Sequence, residues 1–103
     1  MADRDMQWLT HADFADRVGE AFELPDAGLV LTLAETAESS EPGGPGPEGQ
    51  SRHQFSLYFT GPLDPAIEQG IVRLVHADLG EQHLFLVPLG PRGDAMRYEA
   101  AFA

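Results

Sequence analysis

Two histidines, His76 and His83, flank the stretch Ala77-Asp78-Leu79-Gly80, and Asp78 and Glu81 lie between them. Imidazole nitrogens with a carboxylate form a donor set for zinc or a similar divalent ion, and a hairpin there could bring the two rings close. The spacing matches no zinc pattern and a third ligand would have to be found elsewhere. Solvated turn histidines are therefore the favoured reading, and a metal-dependent enzyme built on His76 and His83 is the least favoured function. Asp13 and Asp16 share a helical stretch, but a capping role accounts for the first and solvation for the second. Ser39, Ser40 and Ser51 sit in or beside a Pro/Gly/Glu-rich stretch, and neither they nor Ser56 stands in a nucleophile-elbow context. Gly43, Gly44, Gly46 and Gly49 alternate with Pro42, Pro45 and Pro47, which deprive a phosphate cradle of the backbone N–H groups it needs. The triplet Arg92-Gly93-Asp94 follows Gly90-Pro91 and reads as a loop. No catalytic residue and no cofactor are expected.

Charge and composition narrow the classes further. Seventeen acidic residues against six basic ones give a formal charge of −11, a surface that repels phosphate backbones and anionic lipid, so neither nucleic acid nor membrane is an expected partner. Every cation is an arginine (Arg4, Arg17, Arg52, Arg73, Arg92, Arg97), which excludes lysine Schiff-base chemistry; codon bias is the simple explanation. There is no cysteine, hence no disulfide and no thiolate site. The opening residues, MADRDM, lack a basic segment followed by an apolar one, so no secretory signal is expected and the cytoplasm is the expected compartment. With 103 residues and 43% hydrophobic side chains the chain suits one domain with one core.

The elements that would position these residues follow from periodicity. Met6, Trp8 and Leu9 are apolar enough to predict an ordered lead-in and a core place for Trp8. Thr10 and Asp13 form a capping-box pair, Leu9 and Phe14 a hydrophobic staple, and Phe14, Val18 and Ala21 one helical face, which predicts a helix over about residues 11–21. Leu29 to Thr36 alternates, with Leu29, Leu31 and Leu33 on one side. Residues 37–52 form a flexible loop by composition. Phe55, Leu57 and Phe59 alternate inward along 53–60, with Tyr58 outward and exposed. Two prolines make 62–69 a turn or a single helical turn; strands follow at 70–76 and 81–87, the latter apolar on both faces and therefore central, with Pro88 at its end. Leu89 to Asp94 reads as a loop and Ala95 to Phe102 as the last strand, with Tyr98, Ala100 and Phe102 on its inner face. Arg73 and Arg97 are expected to make cross-strand pairs with acids such as Glu99. Phe22–Leu24 could add a sixth strand. The fold class is α+β: one N-terminal helix packed on a curled antiparallel sheet of five or six strands, or on a small partly open β-barrel, paired in sequential order.

Five stretches taken together carry a resemblance. They are Leu9-Thr10-His11-Ala12-Asp13-Phe14, Phe55-Ser56-Leu57 with Gly61-Pro62, Gln69-Gly70-Ile71 with Arg73-Leu74 and His76, Leu84-Phe85-Leu86-Val87-Pro88, and Arg97-Tyr98-Glu99-Ala100. The chain resembles a family of small bacterial proteins of about this length that carries only a domain-of-unknown-function label. The resemblance spans nearly everything outside residues 37–52. It implies an accessory or assembly role, because members stand beside phage-tail-like or collar-type fibre genes, and it offers no catalytic residue to carry over.

Three functions follow as expectations. The first is a non-enzymatic interaction or assembly domain, binding a protein partner or itself through sheet edges and side chains such as Tyr58, Arg73 and Arg97. The second is a carrier holding a small apolar ligand among Phe55, Leu57, Phe59 and Leu86. The third is the metal-dependent enzyme.

Overall fold

The computed structural model describes residues 9–43, 52–64 and 66–102. The chain runs α1 (His11–Ala15), β1 (Ala21–Leu24), β2 (Leu29–Pro42), β3 (His53–Gly61), β4 (Gly70–His76), β5 (Gly80–Arg92) and β6 (Ala95–Phe102). The expected lead-in through Met6 and Trp8, and the Pro/Gly-rich part of the loop from residue 44 to 51, lie outside the described residues.

All strand pairs are antiparallel and the sheet closes on itself in the order β1-β2-β3-β6-β5-β4. The sixth strand suggested at Phe22–Leu24 is β1, paired with β2 from Ala21↔Thr32 to Leu24↔Leu29. Closure against β4 rests on one residue pair, Glu23↔Val75. Sequential pairing fails in one place: β3 lies beside β6, from Phe55↔Phe102 to Gly61↔Met96, rather than beside β4. The 62–69 connection therefore skips β6 and β5 in the ring order to reach β4, and the β4-β5-β6 meander returns to β3, which leaves β4 next to β1 and completes the ring. Closure removes most of the sheet edge that a strand-rich chain otherwise exposes.

The interior is packed by alternate positions of every strand. Phe22, Leu31, Leu33, Leu57, Phe59, Leu74 and Leu86 are fully buried, and Phe55 and Tyr98 nearly so. Each such aliphatic or aromatic side chain contributes about 1.5–3 kcal/mol by leaving water. The Tyr98 hydroxyl accepts the Ile67 N–H at 2.8 Å, which anchors the 62–69 connection to the core. No helical turn forms there among the described residues. Gly61 lies close against the core: a Cβ there would stand 2.5 Å from Leu31 Cδ2, so any larger residue requires the Leu31 side chain to move.

The helix is shorter than its apolar spacing predicts. The Asp13 carboxylate does accept the Thr10 N–H at 2.7 Å, so the cap forms where expected, while Phe14 is fully buried and Leu9 packs partly buried against the core cluster. After Ala15, however, Gly19 takes a left-handed φ of 94°. Its N–H then bonds the Leu33 carbonyl at 2.7 Å while Glu20 C=O accepts Leu33 N–H at 3.1 Å. Pairing with β2 thus supplies the hydrogen bonds a longer helix would have made, and Val18, assigned to the buried face, is 49% exposed. Phe14 instead closes one end of the ring, its own ring 5.9–6.5 Å from those of Phe22, Phe55 and Phe102.

Two strands outrun their apolar patterns. β2 continues through residues 37–42, where Ala37↔Ser56, Glu38↔Phe55 and Pro42↔His53 extend the ladder although the side chains are polar or small. β5 does not end at Pro88. It bulges between Pro88 and Gly90 and stays paired with β6 to Arg92↔Ala95. Gly90 adopts φ 108° at the bulge, a conformation open to glycine at little cost. The expected loop 89–94 reduces to a two-residue turn, Gly93-Asp94, with Gly93 at φ 67°.

Candidate functional site

His76 and His83 are not two solvated partners across a turn. The register sets His76 opposite Gly80 and His83 opposite Arg73. His76 shares the inward parity of Leu74 and is 4% exposed, its ring 4.7 Å from that of Phe22. Its Nδ1 accepts the N–H of Asp78 at 3.0 Å and of Leu79 at 3.1 Å, so that nitrogen carries no proton. Nε2 is then the N–H, donating to Glu20 Oε1 at 2.6 Å. With both nitrogens engaged, His76 locks the β4–β5 turn from inside; its one basic lone pair, on Nδ1, is taken up by the Asp78 and Leu79 N–H groups. His83 shares the outward parity of Phe85 and meets Glu81 at 2.9 Å in the open. No cluster of three metal-ligating residues occurs among the described residues.

The three interface residues separate into two places. Tyr58 and Arg97 come together on the outer face of β3 and β6. The Arg97 guanidinium lies 4.7 Å over the Tyr58 ring and donates to Glu35 at 2.8 Å, while Glu99 accepts from the Ser56 hydroxyl at 2.8 Å. Arg97 thus pairs with Glu35 rather than Glu99, and Tyr58, expected to be exposed, is half-buried under it. Arg73 stands on β4, where it donates to Asp26 at 3.1 Å and approaches Glu81 at 3.6 Å. The Arg73 hydrogen bond holds the Asp26 carboxyl below its ordinary value, and Asp26 in turn raises Arg73. Arg52 is placed at the end of the ring, 5.4 Å over Phe55 and 5.6 Å over Phe102, donating to the Leu9 carbonyl; burial lowers its pKa.

Beside Arg73 lies the feature the sequence reading missed. Ile71 and Phe85 are directly opposed on the outer face of β4 and β5, and they are 74% and 49% exposed. Val87 and the exposed Leu89 continue along β5. The double apolarity of 84–87 had pointed to a strand covered on both sides. In a closed ring only the inner face is covered, so Leu84 and Leu86 are buried while Phe85 faces water. Parity carried the signal: Ile71 alternates in step with Arg73, and an arginine does not point into this core. A groove of about 190 Å³ adjoins Ile71, lined by Leu24, Asp26, Ala27, Ile67, Val72 and Arg73. The interior positions Phe55, Leu57, Phe59 and Leu86, by contrast, are at most 2% exposed and fill the ring with their own bulk.

Six antiparallel strands in a ring, a five-residue helix at one end and an outward apolar pair beside an ion-paired groove define a small, mostly β domain. The family described as domain of unknown function DUF6916 matches residues 9–102, and the chain belongs to it. No curated protein and no solved structure matches the chain. No helix among the described residues is long and apolar enough to cross a membrane.

Proposed function

We propose that this domain is a protein-interaction module that contacts its partner through the outer face of β4 and β5. The observation that carries the reading is the exposed cross-strand pair Ile71 and Phe85. Two large apolar side chains are held in water by strand parity, with the charged residues Arg73, His83 and Glu81 on one side of them along the strands and Val87 and Leu89 on the other. An exposed apolar patch bordered by charge is the anatomy of a recognition surface. The formal charge of −11 selects a basic partner over a second copy of the same chain. An accessory role in a phage-tail-like or fibre assembly, implied by the resemblance, is the setting in which such a module would serve.

The test compares two baits in native extract: the intact protein and the double variant Ile71→Ser, Phe85→Ser, whose positions lie outside the core. A stoichiometric partner held by the first and released by the second, with both baits showing the same thermal unfolding, is the expected outcome. Equal capture by both baits, or no stoichiometric partner with either, overturns the proposal.

A further inference from the structure

Ring closure is incomplete along one strand. β4 is paired with β5 over its whole length, from Gly70↔Leu86 to His76↔Gly80. On its other side β1 meets it only at Glu23↔Val75, because β1 ends at Leu24 and the chain turns away through Pro25–Gly28. Among the described residues, Gly70 to Leu74 therefore have a ladder partner on one side only. In an antiparallel strand, alternate residues aim their N–H and C=O groups away from the paired neighbour, so this stretch has an edge whose donors and acceptors lack a strand partner.

The groove of about 190 Å³ runs against that edge. Leu24, Ala27, Ile67 and Val72 give it an apolar bed, and the Asp26–Arg73 pair forms its rim. Glu23 and Glu68, both exposed, are the chain neighbours of the lining residues Leu24 and Ile67. Arg73 is already committed to Asp26 and Glu81, so the carboxylates here outnumber the cations.

We propose, building on the interaction reading above, that the β4 edge accepts one extended segment of a partner as an added strand, in the place β1 would occupy had it not turned at Pro25. The backbone edge supplies hydrogen bonds without regard to sequence, and the flanking surfaces select it. Residues pointing inward on the added strand rest on Leu24, Ile67 and Val72 and are apolar; those pointing outward pass the carboxylates and are basic. Ile71, outward on the same strand and exposed, gives the outer residues an apolar stem to lie against, as long basic side chains do. The occupant is thus a basic peptide segment with apolar residues at every second position.

The probe is a synthetic peptide of about eight residues alternating arginine and valine, a length typical of a strand. Two controls share its composition or shape: the same peptide with alternate amides N-methylated, and one with glutamate in place of arginine. Titration into the isotope-labelled protein is followed by amide shifts and hydrogen exchange. The expected result is saturable binding with exchange at some amides of Gly70–Leu74 slowed by about tenfold or more, and binding at least about tenfold weaker for both controls. Binding that shifts Phe85 and Val87 but leaves β4 amide exchange unchanged overturns strand addition while leaving the interaction reading standing. Equal binding of the N-methylated peptide overturns it too, as does no binding of the basic peptide; whether the outer face recruits a partner is then decided by the two-bait comparison alone.

Discussion

Replacing His76 by alanine tests the tightest polar constraint in the fold. The imidazole is 4% exposed and makes three hydrogen bonds, to Glu20 and to the N–H groups of Asp78 and Leu79. Such bonds are worth about 1 kcal/mol each net. Glu20 and the turn amides can return to water after the change, which trims that part to about 1–2 kcal/mol. The ring also packs against Phe22, and the space it vacates cannot fully collapse, adding about 1–2 kcal/mol. The expected loss is about 2–4 kcal/mol, or at roughly 4–8 °C per kcal/mol a fall in Tm of about 8–32 °C. Urea unfolding and thermal melts followed by circular dichroism give the number. Glu20→Gln, which keeps an oxygen for Nε2 and forfeits only the half-exposed pairing with Arg17 at 3.4 Å, should lose less than about 1 kcal/mol. The ring's nitrogen shifts supply an independent reading, since the backbone bonds require the proton on Nε2. A His76→Ala loss below about 1 kcal/mol, or an imidazole protonated on Nδ1 alone at neutral pH, would refute the assignment of this residue as the lock of the β4–β5 turn.

Gly61→Ala should destabilise by about 1–3 kcal/mol, because its Cβ would lie 2.5 Å from Leu31 Cδ2, and adding Leu31→Val should recover part of that loss in a double-mutant cycle of urea midpoints. Arg73→Gln should raise the Asp26 midpoint toward its ordinary 3.8, measured by carbonyl shifts during an acid titration. The folded value is depressed, so the pair's stabilisation is present above that ordinary range and vanishes as pH falls through the lowered midpoint; the variant should flatten stability against pH only in this acidic window. Arg52→Ala removes the guanidinium from Phe55 and Phe102 and a donor from the Leu9 carbonyl, for an expected loss of about 1–2 kcal/mol by urea unfolding.

What could be read from the sequence is what side-chain burial writes into it. The inward set Phe55, Leu57 and Phe59, the last strand at 95–102 and the cap at Thr10 and Asp13 all appear in the structure because one face of each element excludes water. Backbone pairing leaves no such trace. β2 past Thr36 and β5 past Pro88 hold their ladders through small, polar and proline residues, and composition alone made both look like loops. The helix lost its second half to hydrogen bonds with Leu33, a residue 14 places beyond Gly19 and invisible to local propensity. Pairing of β3 with β6 is likewise a choice made across the chain. For the candidate surface the information was present but misread: alternation told that Phe85 faces away from Leu84, and the assumption of a second covering layer hid what followed.

Arg52 joins two parts of the chain that are far apart in sequence. One guanidinium reaches both the carbonyl of Leu9, just ahead of the helix, and the ring of Phe102, at the close of the last strand. Leu9 and Phe102 therefore lie at a common pole of the ring, the end at which β4 finishes at His76 and β5 begins at Gly80. One side chain next to the start of β3 thus ties the segment ahead of the helix to the last strand, so loosening either should loosen the other.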